Sequence, residues 1–388
     1  MPIGNYQAPD LYIEEVALGA RPIQAVGTSI AGFVGKAPTR ARLNEAVPIT
    51  NRTQFLETYA DGIDGGNAFT RAVIGFFDNG GSMCYVCNIG DESTDLPAGL
   101  DVLGRIDEIA IVAAPGITGA AAADELLTHC ELLKDRVAII DVPENIPDVN
   151  TLTRVDTGDD TDADSGARPR TSDGGFGAVY YPWIEVVDSL SKLKVFTPPS
   201  GHIAGIWART DATRGVHKAP ANEIIRGALR VETRLSREEH GILNSAGINA
   251  IRFYSSEGVR VMGARTVAPA SSEYRYLNVR RLFSMVEESI AESMRWVIFE
   301  PNDRPLWDLI RRDVTAFLMR LWRDGALQGA TPAQAFFVKC DDETNPQENI
   351  DAGIVTTAIG MAPVKPAEFV VFRISQYAGG SEEGGENA

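Results

Sequence analysis

Cys84-Tyr-Val-Cys87 has the C-x-x-C spacing that redox and zinc sites use, but it lies inside Met83-Cys-Tyr-Val-Cys-Asn-Ile89. That run reads as a strand, in which residues three apart face opposite ways, and no second pair stands at a suitable distance. Both are expected to be buried strand cysteines. A hydrolytic reading would join Asp141, at the end of an expected strand, to His202 or His217 and to Ser200 or Ser29. No G-x-S-x-G turn presents the serine, and a chain with four histidines and many serines always offers such a set. Gly27-Thr-Ser-Ile-Ala-Gly-Phe-Val-Gly-Lys36 looks like a phosphate loop, yet Phe33 stands where the loop's lysine belongs and continues an apolar strand. Asp160, Asp162, Asp164 and Gly166 are spaced somewhat like a calcium loop, but Ser165 and Thr171 occupy the positions that need glycine and glutamate. The expectation is a chain with no catalytic residue, cofactor or metal; the alternative is a soluble α/β hydrolase-like enzyme.

At 388 residues the chain exceeds what one hydrophobic core usually holds, so two domains with terminal extensions are expected. No run of 18 apolar residues and no basic-then-apolar N-terminus occurs, so neither a membrane span nor a signal peptide is expected, and assembly should take place in the cytoplasm. The net charge of -17 argues against free-standing nucleic-acid binding. Residues 251–330 depart from this balance, with 12 basic side chains, all arginine, against 10 acidic ones. Arginine without lysine suits fixed bidentate contacts to carboxylates, as subunit interfaces use, while the bland reading is a solvated helix face.

The elements that would position these residues begin with Thr28–Val34 and Met83–Ile89, buried strands separated by helical segments around 51–59 and 68–78. Strands at 109–113 and 137–141 then alternate with a helix around 120–133, which implies an α/β domain with a mostly parallel sheet. The acidic, glycine-rich stretch 156–175 reads as a mobile surface loop, after which Tyr180–Val187 resumes as strand. Ser200–Asp211 opens a helix packed by its small residues. From Leu277 to Val297 the apolar spacing predicts one long amphipathic helix. A second begins after Asn302 as N-cap, with Leu306, Ile310, Val314, Phe317 and Leu321 inward, and Gly325 stops it. Its other face carries Arg304, Arg311, Arg312 and Arg323. Each end of the chain has a lone strand with no hairpin partner beside it: Leu11, Tyr12, Ile13 and Val16 in the first, Phe369, Val370, Val371, Phe372 and Ile374 in the second.

The block Tyr274-Arg-Tyr-Leu-Asn-Val-Arg-Arg-Leu-Phe-Ser-Met-Val-Glu-Glu-Ser-Ile290, running on to Trp296-Val-Ile-Phe-Glu-Pro-Asn-Asp303, resembles a signature of contractile tail sheath proteins. The likeness continues through Leu306-Trp307, Ala335-Phe-Phe-Val-Lys-Cys-Asp341 and Ala362-Pro-Val-Lys-Pro-Ala-Glu-Phe-Val370, and it includes Ala8–Val16 and Arg71–Gly81. It covers nearly the whole chain apart from the acidic stretch and the Gly/Glu-rich tail. The resemblance implies subunits in six-membered rings stacked around an inner tube, each lending its terminal strands to its neighbours' sheets and contracting to drive the tube through a target envelope. It also implies partners at the baseplate and the terminal cap, no direct contact with nucleic acid or membrane, and a place in a phage tail, tailocin or injection particle.

On that footing the fold class is α/β, and α+β overall. An exchange arm (1–24) should precede an outer α/β domain (25–251) of subtilisin-like topology. An inner, tube-facing domain (252–365) should follow, with its sheet completed by donated strands, and then a second arm with a disordered tail (366–388). The four arginines above are the expected tube contact.

Overall fold

The computed structural model describes residues 22–90, 95–159, 161–162, 164–369 and 371. Apolar runs bracketed by glycine, proline or asparagine are cut into short strands, and the segments between them carry helical spacing. In order these are β1 (Ala31–Gly35), β2 (Ala46–Ile49), α1 (Arg52–Tyr59), α2 (Ala68–Asp78), β3 (Cys84–Asn88), α3 (Leu96–Leu103), β4 (Ile111–Ala113), α4 (Ala120–Leu133) and β5 (Val137–Ile140). There follow β6 (Gly177–Tyr181), β7 (Ile184–Val187), β8 (Lys194–Thr197), α5 (Ser200–Arg214), β9 (Glu223–Ile224), β10 (Arg230–Val231), α6 (Arg237–Ser245), β11 (Ile248–Tyr254) and β12 (Gly258–Val261).

Nine of these strands form one sheet, in the order β2-β3-β1-β4-β5-β6-β11-β12-β9. Every pairing from β3 to β11 is parallel. At the edges β2, β12 and β9 run antiparallel to their neighbours, so the mostly parallel sheet expected from the βαβ alternation is present. Neighbouring strand residues point to opposite faces. Phe33 therefore joins Phe76, Ile203 and Trp207 in the core under α2 and α5, and Val34 joins Leu100, Leu103 and Leu127 in the core under α3 and α4. Cys84 and Cys87 divide between these two cores in the same way, which separates the thiols by the thickness of the sheet. Burial pushes both up, Cys87 to about 11. A Cβ at Gly201 would stand 2.2 Å from the carbonyl oxygen of Ala72, so glycine is what lets α5 lie this close to α2.

The second region is built on α7 (Leu277–Ser293), which ends in a short 3-10 turn, and α8 (Arg304–Arg323). Their apolar stripes meet through Leu282, Val286, Ile310, Val314 and Phe317. Two strands, β13 (Phe336–Lys339) and β14 (Ala358–Met361), pair antiparallel beside them. Gly325, at φ +80, follows α8 as expected.

Several sequence expectations need correction, among them the single helix expected over Leu277–Val297, which ends at Ser293. The N-cap of α8 is Asp303, whose carboxylate accepts the Leu306 amide at 3.0 Å, while Asn302 instead accepts the Trp307 indole N–H at 2.9 Å. The run Tyr180–Val187 is two strands, because Pro182 has no N–H to continue a ladder. The division expected between residues 251 and 252 would cut β11; this strand and its partner β12 complete the nine-stranded sheet, so the second region begins after them. In the other direction, Ile23 and Val26 pack with α7 and α8 and not with the sheet.

The acidic stretch is also shorter than 156–175. Val155 and Arg168 bridge, Arg170 reaches Glu131 at 3.0 Å and Asp124 on α4, and Ser172 is buried. These contacts anchor the chain on both flanks of the segment 157–165. Excising it should leave the chain folded with its stability changed by less than about 1 kcal/mol, as a thermal melt would show. Loss of assembly on that deletion would mark the segment as a contact.

Candidate assembly surface

Asp141 directly follows β5, and its carboxylate accepts the Ser200 hydroxyl at 2.6 Å, the Ser200 amide at 3.1 Å and the Gly116 amide at 3.2 Å. It caps the N-terminus of α5, where the unpaired amides favour negative charge. Burial outweighs these bonds and raises its pKa to about 6. The Ser200 proton is thus held by a carboxylate sealed inside the protein. His202 faces the contact with α2 over Gly75, its Nδ1 has no partner, and burial lowers it to about 4. His217 packs against Gly215, and Ser29 precedes β1; among the described residues neither is hydrogen-bonded to Ser200 or Asp141. The residues that a triad would need are present, but their geometry is that of helix capping and packing.

Among the described residues no group of three or more His, Cys, Asp or Glu side chains is arranged to hold a metal ion. Asp159 and Asp162 accept backbone amides two residues ahead, and Asp160 lies outside the described residues. No helix among them is long and apolar enough to cross a membrane. A cleft of about 510 Å³ between α7 and the sheet domain is lined by Asp107, Glu108, Asp135, Glu287, Glu288 and Glu292. Glu288 is raised to about 7 by burial and by Asp135.

The arginine-only composition of residues 251–330 has its counterpart inside the molecule. Arg281, on α7, donates two bonds to Asp211 on α5, at 3.0 and 2.6 Å, and a third to the Thr28 carbonyl at 2.8 Å. The Thr28 hydroxyl closes the network on Asp211 at 2.7 Å, and Trp207 lies under the guanidinium at 4.7 Å. Both charged side chains are 4% exposed or less. Arg280 sits over Phe176 and Tyr274, and Arg265 grips Glu368 through Nε at 2.8 Å with a second bond from Nη2. Ser284 and Ser289 also leave the apolar stripe of α7, binding the Lys134 carbonyl at 2.6 Å and the Val26 amide at 3.0 Å. The polar side of α7 is therefore buried against the sheet domain through Arg280, Arg281 and Ser284, whereas Glu287 and Glu292 further along it stay exposed. Bidentate contacts were legible from composition, but these join two parts of one chain.

The outer surface differs. β13 and β14 make a two-stranded sheet, and among the described residues neither outer edge is paired in a ladder. Phe337, on β13, is 58% exposed. Of the expected exchange strands, Leu11, Tyr12, Ile13, Val16, Val370, Phe372 and Ile374 lie outside the described residues. Phe369 and Val371 are exposed and in no strand.

Arg304, Arg311, Arg312 and Arg323 are all exposed on α8. At about 100° per residue, Arg304 and Arg311 fall on one ridge and Arg312 and Arg323 on another, about 80–120° away. Arg304 pairs with Asp342 at 2.7 Å, Arg311 with Asp308, and Arg312 with Asp313 at 3.0 Å. Arg320, which the sequence reading passed over, donates to the Ile23 carbonyl and ties the N-terminal segment to α8.

Two family models match the chain: the phage tail sheath protein central domain over residues 94–267, and the phage tail sheath C-terminal domain over 270–376. The tail sheath protein of Salmonella phage ViI is 26% identical over 314 residues, 77% of this chain and 48% of that protein. The chain thus spans about half the length of that curated relative. Among solved structures, the sheath complex of PVC, an extracellular contractile injection system, in its contracted state contains a chain 29% identical. It superposes with a TM-score of 0.80, over 96% of this chain and 98% of that one. A chain of the anti-feeding prophage baseplate in its contracted state is 31% identical, with a TM-score of 0.77 over 95% and 99%.

Proposed function

Since the chain belongs to the contractile tail sheath family, we propose that its copies stack as six-membered rings around an inner tube and shorten from a metastable extended state to drive that tube through a target envelope. The observation that carries this reading is the β13–β14 sheet, neither outer edge of which is paired in a ladder among the described residues, in a chain whose sequence has at each end a strand-forming run with no hairpin partner beside it. An unpaired sheet edge and an unpaired strand are complementary, and β-augmentation between copies satisfies the backbone groups of both. Leu11–Val16 of one copy and Phe369–Ile374 of another are the strands offered. The pairing is the means of cohesion while the domains change their relative positions.

In this arrangement the region of α7, α8, β13 and β14 faces the tube and the nine-stranded domain faces outward. The likeness to a chain in a baseplate structure supports contact with a baseplate; an inner tube protein and a terminal cap are the other partners of this arrangement. The relatives are structural sheath proteins, and the role is one of assembly and mechanical work without catalysis. The particle is assembled in the bacterial cytoplasm and carried as a phage tail or injection device.

The two arginine ridges of α8 supply the tube contact. Exposed ion pairs are each worth only about 0–1 kcal/mol, but a ring repeated along a tube multiplies them, and pairs this weak release as the sheath widens. Changing Arg311 and Arg312 to glutamate should impair assembly of extended sheath on tube while tube-free polymer still forms, as negative-stain electron microscopy would show. Normal extended sheaths from the double variant, or no polymer at all, would remove these residues from the tube contact.

A further inference from the structure

The C-terminal run of prolines, Pro363-Val-Lys-Pro366, looks like a bendable linker in sequence, but the structure holds it at both ends. Upstream, Pro363 bridges to Leu327, the Val364 amide donates to the Ala326 carbonyl at 3.2 Å, and Asn278 donates to the Val364 carbonyl at 3.0 Å. Downstream, Glu368 is gripped by Arg265 through two parallel bonds, with the two side chains 16% and 6% exposed. Arg265 is itself fixed. Its amide donates to the Asn249 side chain at 2.7 Å, and Asn249 donates back to the Arg265 carbonyl at 2.8 Å and to the Val179 carbonyl of β6 at 3.0 Å. A third guanidinium bond goes to the Asn244 carbonyl. Immediately beyond Glu368 the chain is open, with Phe369 75% and Val371 77% exposed.

Arg265 lies in the segment matching the central-domain family model and Glu368 in the segment matching the C-terminal one. We propose that Arg265 and Glu368 form a latch that fixes the point of departure of the C-terminal strand at Glu368 and passes tension on that strand into the nine-stranded sheet. The two are positioning residues, and this role rests on the reading that the strand is donated to a neighbouring copy. Without the latch, tension would fall on the Val364 amide and the small β13–β14 sheet. With it, the load enters through a charge-assisted pair set against β6 and β11.

The test compares the native chain with a variant carrying Arg265→Met and Glu368→Leu, which removes both charges and strands neither. In the unassembled subunit, amide hydrogen exchange over 364–368 should become at least about tenfold faster, while exchange in β11 and the thermal midpoint stay as in the native chain. Sheaths built from the variant should dissociate at a lower urea concentration than native sheaths. Unchanged exchange over 364–368 would overturn the latch, and native resistance to urea would overturn its role in carrying load. Polymerisation of a chain ended after Glu368 would instead sink the donated-strand reading, a result separate from the exchange measurement because that is made on free subunits.

Discussion

Replacing Asp211 by alanine is expected to destabilise the chain by about 3–5 kcal/mol, because it leaves the Arg281 guanidinium buried without its counter-charge. The carboxylate takes two bonds from Arg281 and one from Thr28, and the network joins α5, α7 and the segment leading into β1. Both side chains are almost fully withdrawn from water, so solvent cannot replace the lost partner. Urea denaturation followed by circular dichroism would measure the loss, and the fluorescence of Trp207, under the guanidinium, would report whether the site opens first. Adding Arg281→Met to the same chain should recover most of the stability, since the cost lies in the stranded charge. A loss below about 1 kcal/mol for Asp211→Ala would put this pair in the class of surface bridges and remove it as the joint between the two regions.

Removing either terminal strand is expected to have the largest effect on assembly. A chain lacking residues 1–18, or one ended after Glu368, should fold as the intact subunit does and yet fail to polymerise. The first described residue that anchors the N-terminal segment is Ile23, fully buried among α7 and α8, so the shorter deletion leaves that anchor in place. The C-terminal truncation keeps Glu368 on Arg265. Near-native melting with no polymer in sedimentation and electron microscopy is the predicted outcome. Long sheaths from either truncated chain would contradict strand exchange.

How much of this could be read from the residues follows from the range of each interaction. The parallel sheet was legible because buried strands such as Ala31–Gly35 are short apolar runs between turn residues, and the core stripe of α8 because Leu306, Ile310, Val314, Phe317 and Leu321 repeat at helical spacing. The cap of α8 was misplaced by one residue, since Asn302 and Asp303 are both good caps and only the Trp307 contact assigns Asn302 elsewhere. The joint between the regions was not legible. Arg281 and Asp211 are 70 positions apart and Arg265 and Glu368 are 103 apart, and periodicity says which stripe of α7 is polar but not what covers it. Composition gave one clue, the absence of lysine from residues 251–330. That the two terminal runs have no hairpin partner beside them is a property of the sequence; which sheet would receive them is a property of the assembly.

Whether neighbouring copies complete the β13–β14 sheet would be seen most directly in a cryo-electron microscopy map of the assembled polymer at side-chain resolution. Additional strands are expected along the outer edges of β13 and β14, traceable to Leu11–Val16 and Phe369–Ile374 of other copies. A polymer in which that sheet keeps two strands, or is covered by segments of its own chain, would contradict strand donation between copies.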